Sequence, residues 1–186
     1  MAATHCPACG GIVESVLVRR DGQDVQECAA CGLRLDATTS QGFDPFREVL
    51  FAEDSDLLRL AVEDVLLDKK LARVVSSAPD GQAFLETFTK RLRDGRPVDL
   101  VVLDVQMPVM TGFNAAVAMR AIERAFGHAP PTPIVFFSSQ PCDERARKVL
   151  DFCGRALYVN KVASPNLAEL ASRVEQVLRS LLTQPA

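Results

Sequence analysis

With 186 residues, 48% of them apolar, the chain has material for one ordinary hydrophobic core and room for a small extra module. Its formal net charge of -3 disfavours a general binder of nucleic acid or anionic membrane, which needs a basic surface. No apolar run approaches a membrane span and Met1-Ala2-Ala3-Thr4-His5-Cys6 is not a signal peptide, so a cytoplasmic protein without membrane insertion is expected.

Six cysteines without an export signal argue against a secreted disulfide framework. Four of them form the pairs Cys6-Pro7-Ala8-Cys9-Gly10 and Cys28-Ala29-Ala30-Cys31-Gly32, with eighteen residues between Cys9 and Cys28. Ile12 to Arg19 and Asp24 to Glu27 read as short strands around Asp21-Gly22, a strong hairpin dipeptide. Each Cys-x-x-Cys-Gly turn lets two thiolates bind one ion, and four close a tetrahedral shell around zinc. A closed shell leaves no catalytic position, so the metal is expected to be structural, and a segment this short needs it to fold. Residues 1 to 35 thus resemble the zinc-ribbon family. A rubredoxin-like iron site is the chemical rival, His5 is taken as a bystander, and Cys142 and Cys153 as ordinary thiols. Arg19, Arg20 and Arg34 face Glu14, Asp21, Asp24, Glu27 and Asp36, an acidic balance that points to protein docking rather than phosphate-backbone binding.

Residues 36 to 46 are polar and turn-rich and read as a linker, with Phe43 and Phe46 as possible pins. From residue 47 on, strands alternate with helices: strands at Val49 to Ala52, Arg73 to Ser76, Leu100 to Leu103, Ile134 to Phe137 and Ala156 to Val159. The helices fall at Asp56 to Lys70, Gly81 to Leu92, 113–126, Asp143 to Phe152 and Asn166 to Leu182. The first helix is expected to turn Leu57, Leu60, Ala61, Val65 and Leu71 inward, and the last Leu167, Leu170, Val174, Val177, Leu178 and Leu181. Such alternation makes a parallel sheet covered on both faces.

The polar residues that follow these strands gather at one edge: Glu53 and Asp54 after the first, Asp104 after the third, Ser138 and Ser139 after the fourth, Lys161 after the fifth. In open α/β sheets that edge is where ligands bind. Three converging carboxylates repel one another unless something positive lies between them, and Mg²⁺ with oxygen ligands answers that. The bland alternatives are an Asp104 that caps the next helix and a Glu53-Asp54 N-cap cluster. A metal, a lysine and a hydroxyl around a nucleophilic aspartate describe phosphoryl capture.

Residues 48 to 182 resemble the receiver domain of two-component response regulators, a flavodoxin-like (βα)5 fold. The resemblance rests on Val49-Leu50-Phe51-Ala52-Glu53-Asp54-Ser55, on Asp104 through Gly112, on Pro133 through Ser139, and on Tyr158-Val159-Asn160-Lys161. It implies that Asp104 accepts a phosphoryl group from a histidine kinase, and that Asp54, Asp104 and the backbone carbonyl of Gln106 bind Mg²⁺ with Glu53 acting through water. It further implies that Ser138 and Lys161 hold the phosphoryl oxygens and that Tyr158 is the switch aromatic. Most receivers follow the lysine with a cis proline, whereas this chain has Val162. Gln106 and Gln140 lie where they could alter the phosphoryl lifetime.

Only Thr183-Gln184-Pro185-Ala186 follow the last helix, so the expectation is a stand-alone, non-enzymatic response regulator read by a separate effector protein. The alternative is a phosphorylation-independent pseudo-receiver scaffold that docks partners through the ribbon and the receiver face. A nucleic-acid adaptor is disfavoured by the ribbon's charge, and a flavin carrier by the acidic loop after the first strand.

Overall fold

A computed structural model of the chain describes residues 2–20, 22–36, 44–161 and 166–182. The N-terminal part is an antiparallel sheet of β1 (Ala2–Cys6), β2 (Gly11–Arg20) and β3 (Gln23–Cys28), in that order. The expected hairpin is therefore a three-stranded ribbon. β1 pairs with β2 from Ala2↔Ser15 to Cys6↔Gly11, and its short Ala-Ala-Thr-His-Cys run carries too little alternation to announce itself. Asp21 of the turn lies outside the described residues, as do residues 37–43 with Phe43. Phe46, placed in the linker by its surroundings, instead opens the first strand of the larger sheet and is buried there.

That sheet consists of β4 (Phe46–Ala52), β5 (Ala72–Ala78), β6 (Leu100–Asp104), β7 (Ile134–Ser138) and β8 (Ala156–Asn160). All its pairings are parallel, in the order β5-β4-β6-β7-β8. The alternating helices are α1 (Asp56–Asp68), α2 (Gly81–Arg93), α3 (Gly112–Ala125), α4 (Glu144–Cys153) and α5 (Leu167–Leu182). α1 packs with α5, while α2, α3 and α4 pack side by side in sequence, so both faces of the sheet are covered, as in a flavodoxin-like fold. Every residue of β6 and β7 is buried, including the polar residue that ends each. Among the described residues no helix is long and apolar enough to cross a membrane.

Local chemistry starts the helices. Ser55, Asp80, Thr111 and Asp143 cap α1 to α4, each accepting a backbone N–H of the first turn. α1 departs from expectation: Leu57 and Leu60 are 76% and 61% exposed, and Val62 and Leu66 are its buried residues. A helix with leucines on two faces offers two apolar stripes, and packing against β5 and α5 selects the second. In α5, Leu170, Val174, Val177 and Leu178 are buried as the pattern indicates, while the side chains of Leu167 and Leu181 lie outside the described residues.

α1 ends in a Schellman closure, Lys70 N–H to Leu67 O at 3.0 Å and Leu71 N–H to Leu66 O at 2.9 Å. Lys70 sits there at φ 53, a left-handed conformation that a side chain adopts at a cost. Lys70→Gly is expected to stabilise the fold by about 0.5–1 kcal/mol, the relieved strain exceeding glycine's extra unfolded-chain entropy. A urea midpoint raised at unchanged slope is the measurement that checks it.

Candidate functional site

The strand order reverses between β4 and β6, and the crevice beyond their carboxyl ends holds the acids. Asp104, the last residue of β6, is 4% exposed and Glu53 is 1% exposed, while Asp54 is open to solvent. One carboxylate oxygen from each of the three lies within 4.8 Å of the others, a donor set suited to a hard divalent cation. The α3 cap is Thr111 and the α1 cap is Ser55, so neither Asp104 nor the Glu53-Asp54 pair serves as a helix cap.

Lys161, just past β8, reaches across to these acids, its Nζ 2.7 Å from Glu53 Oε2 and 3.0 Å from Asp104 Oδ2. Burial pushes the Glu53 carboxyl above the usual carboxylate range, and the Lys161 ammonium pulls it back in part. The loop is pinned by backbone contacts. Arg59 Nη1 donates to Glu53 O at 2.8 Å and its other arm pairs with Asp56, while the Ser55 N–H donates to Glu53 Oε1 at 3.3 Å. Gln106 N–H donates to Asp104 Oδ1 at 3.1 Å, and the Gln106 side chain points into solvent.

Ser138 ends β7 with no exposure, and its Oγ accepts the Gln140 N–H at 3.1 Å; Ser139 is exposed. The Lys161 N–H donates to Ser138 O at 2.7 Å, which ties the lysine's backbone to the hydroxyl's. Tyr158 is buried, and its hydroxyl donates to Gln140 O at 2.9 Å, an acceptor shared with Asn160 Nδ2 at 3.3 Å. Burial pushes the Tyr158 phenol up, with the Ser138 hydroxyl pulling the other way. The structure therefore brings Glu53, Asp54, Asp104, Ser138, Tyr158 and Lys161 to one edge; Val162 lies outside the described residues.

A second donor set is in the ribbon. The sulfurs of Cys6, Cys9, Cys28 and Cys31 all lie within 4.8 Å of one another, with Cys6 to Cys31 at 3.6 Å and Cys9 to Cys28 at 3.8 Å. The Cys31, Cys6 and Cys9 thiols directed at Cys28 hold its sulfur below the ordinary thiol range. Four mutually close sulfurs fit a tetrahedral soft-metal centre. Two residues escaped the sequence pattern: Arg59, which holds the Glu53 carbonyl, and Arg173, a charge buried on the apolar face of α5. Arg173's signal was its position three residues after Leu170 and beside Val174 on the inward stripe.

Residues 49–175 match the family described as the response regulator receiver domain. A protein-glutamate methylesterase/protein-glutamine glutaminase of a Nocardioides species is 32% identical over 140 residues, which cover 74% of this chain and 34% of that protein. The transcriptional regulatory protein PdtaR of Mycobacterium tuberculosis is 35% identical over 103 residues, 54% of this chain and 44% of that one. The chain thus spans less than half the length of these relatives. Among solved structures, Vibrio cholerae chemotaxis protein CheY4 is 26% identical, with 70% and 98% of the two chains covered and a TM-score of 0.53. The Mn²⁺-bound response regulator Rcp1 shares the fold at 19% identity, with 75% and 97% covered and a TM-score of 0.59.

Proposed function

Because this chain belongs to the response regulator receiver domain family, we propose that Asp104 takes a phosphoryl group from a histidine kinase with Mg²⁺ bound, and that a downstream effector protein reads its state in the cytoplasm. The observation that carries this is the buried Asp104 carboxylate at the carboxyl end of the central strand β6, within 4.8 Å of two further acids and in contact with Lys161.

Asp54, Asp104 and the Gln106 carbonyl hold the cation, with Glu53 behind them. Bound there, Mg²⁺ neutralises the carboxylates and the oxygens of the transferring group. An Asp104 carboxylate oxygen attacks phosphorus as the bond to the donor breaks, giving an acyl phosphate. Lys161 then turns its ammonium from Glu53 and Asp104 to the new phosphoryl oxygens, and the Ser138 hydroxyl donates to another. Moving Ser138 changes what lies beside the buried Tyr158 hydroxyl, and that ring carries the change towards α4 and β8. The ribbon's four cysteines hold zinc in a structural role.

The test is intact mass under native conditions after incubation with Mg²⁺ and a small-molecule phosphodonor, run beside Asp104→Asn. One phosphoryl group on the wild type, dependent on Mg²⁺ and absent from the variant, is expected, with one zinc in both. A wild type that stays unlabelled where an ordinary receiver is labelled overturns the phosphoacceptor assignment in favour of a scaffold.

A further inference from the structure

The ribbon does not stand apart from the larger sheet. Cys6, Ala8, Cys28, Cys31 and Leu33 lie in one buried cluster with the core of the five-stranded domain. The contact centres on Pro7 and Ala8, the two residues between the first pair of cysteines. Arg173 of α5, 4% exposed, donates from Nε to Pro7 O at 2.7 Å and from Nη2 to Ala8 O at 2.8 Å. The Ala8 carbonyl accepts a second bond, from the Asn160 N–H at 2.9 Å.

The position of that second bond matters. β8 is an edge strand, and its outward N–H groups need cover. Asn160 is its last residue and Lys161 follows directly. The backbone at this point is thus gripped from both sides, by Ser138 O on the Lys161 N–H and by Ala8 O on the Asn160 N–H. Ala8 is in turn fixed by the knuckle, closed by Gly10 N–H to Cys6 O at 2.8 Å, and by the Arg173 fork. Arg173 also lies within electrostatic reach of Cys6, Cys9 and Glu169.

We propose that the first cysteine knuckle is a strut of the phosphoryl site, and that Arg173 is a positioning residue for Lys161, acting through the Pro7 and Ala8 carbonyls and the Asn160 N–H. The proposal rests on the phosphoacceptor function above. Lys161 has to exchange carboxylate partners for phosphoryl oxygens by moving its side chain alone, and a backbone held at two points allows that. With the Ala8 grip loosened, the ammonium is delivered less accurately, and misplacement on the order of 1 Å costs about 10²-fold in rate.

The test uses the full zinc-loaded chain as wild type, Arg173→Ala and Arg173→Lys. Three quantities are read: hydrogen exchange of the Asn160 amide, the rate of phosphoryl uptake from a small-molecule donor, and Mg²⁺ affinity. In Arg173→Ala the Asn160 amide should exchange at least about tenfold faster and uptake should slow by about ten- to a hundredfold. Mg²⁺ affinity should not fall, because the carboxylates keep their own backbone supports and a displaced Lys161 ammonium competes less for Glu53 and Asp104. Lysine, able to reach one carbonyl, should restore part of both effects, and all three proteins should carry one zinc. An Asn160 amide as protected in Arg173→Ala as in the wild type, with uptake unaltered, overturns the proposal; so does a parallel loss of Mg²⁺ affinity, which marks general destabilisation. A wild type that takes no phosphoryl group, beside a variant with a released Asn160 amide, overturns the phosphoacceptor function while keeping the knuckle as the anchor of β8.

Discussion

Lys161→Ala is expected to slow phosphoryl uptake at Asp104 by about 10²–10³-fold, the usual loss when one preorganised donor to a developing anion is removed, while Mg²⁺ binding tightens. The opposite signs follow from geometry. The Lys161 ammonium contacts both Glu53 and Asp104, at 2.7 and 3.0 Å, so it occupies the charge environment that a divalent cation needs. Without it, two buried carboxylates face each other uncompensated, and each gains from a divalent ion. On the proposed function the same loss removes the cation that meets the phosphoryl oxygens after transfer. Glu53 already lies above the usual carboxylate range through burial, and removing Lys161 raises it further. The tighter Mg²⁺ binding should therefore be largest above that raised range and fade as the pH falls through it, where Glu53 takes up a proton. Tyr158 is the chain's one tyrosine and there is no tryptophan, so its fluorescence offers a Mg²⁺ titration local to the site. Mg²⁺ affinity that fell together with uptake would mean that Lys161 acts as a structural tether instead.

Gly112→Ala is the second large effect. A Cβ built on Gly112 lies 2.1 Å from the Asp104 carbonyl oxygen and 2.9 Å from its carbonyl carbon, with Leu103 Cβ at 3.3 Å. The first two are backbone atoms of the central strand, which cannot rotate out of the way as a flexible side chain would. The Gly112 N–H also closes the loop on Val105 O at 3.1 Å, so retreating from the clash breaks that bond. A cost of about 3 kcal/mol, the upper end of ordinary overpacking, lowers Tm by roughly 6–12 °C at this chain length. Because the strand must move at Asp104 itself, uptake should fall even at temperatures where the variant is fully folded. Thermal unfolding and labelling of the same sample check both parts, and a stable variant that is labelled normally would show that the loop relaxes elsewhere.

What the sequence disclosed and what it hid divide along physical lines. β6 and β7 were legible because strands buried on both faces need unbroken apolar runs, and a charge or hydroxyl at the end of such a run stands out. The gathering of Glu53, Asp54, Asp104, Ser138 and Lys161 followed from the single rule that parallel strands bring their carboxyl ends to one edge. The inward face of α1 was not legible: its leucines supply two stripes, and only the position of β5 and α5 decides between them. β1 was hidden because the short Ala-Ala-Thr-His-Cys run carries too little alternation to read as a strand, and becomes one where β2 offers it an edge. Arg173 was visible as a charge on an apolar face, but its partners are backbone carbonyls of the ribbon, and no pattern in either segment points to the other.

The bond from Arg173 to Pro7 spans 166 positions of the chain. On the ribosome the ribbon emerges 166 positions ahead of Arg173, so at about 5–20 residues per second the knuckle waits roughly 8–33 s for the helix that covers it. Contacts of such long sequence separation form late, since the loop they close must be ordered before they contribute. During that interval Ala8 and Leu33, both buried in the folded chain, are bare, and on the zinc assignment proposed above early metal capture keeps the four thiols from other chemistry. On that assignment the nascent chain is open to oxidation and to metal scarcity before the proposed phosphoryl site has formed.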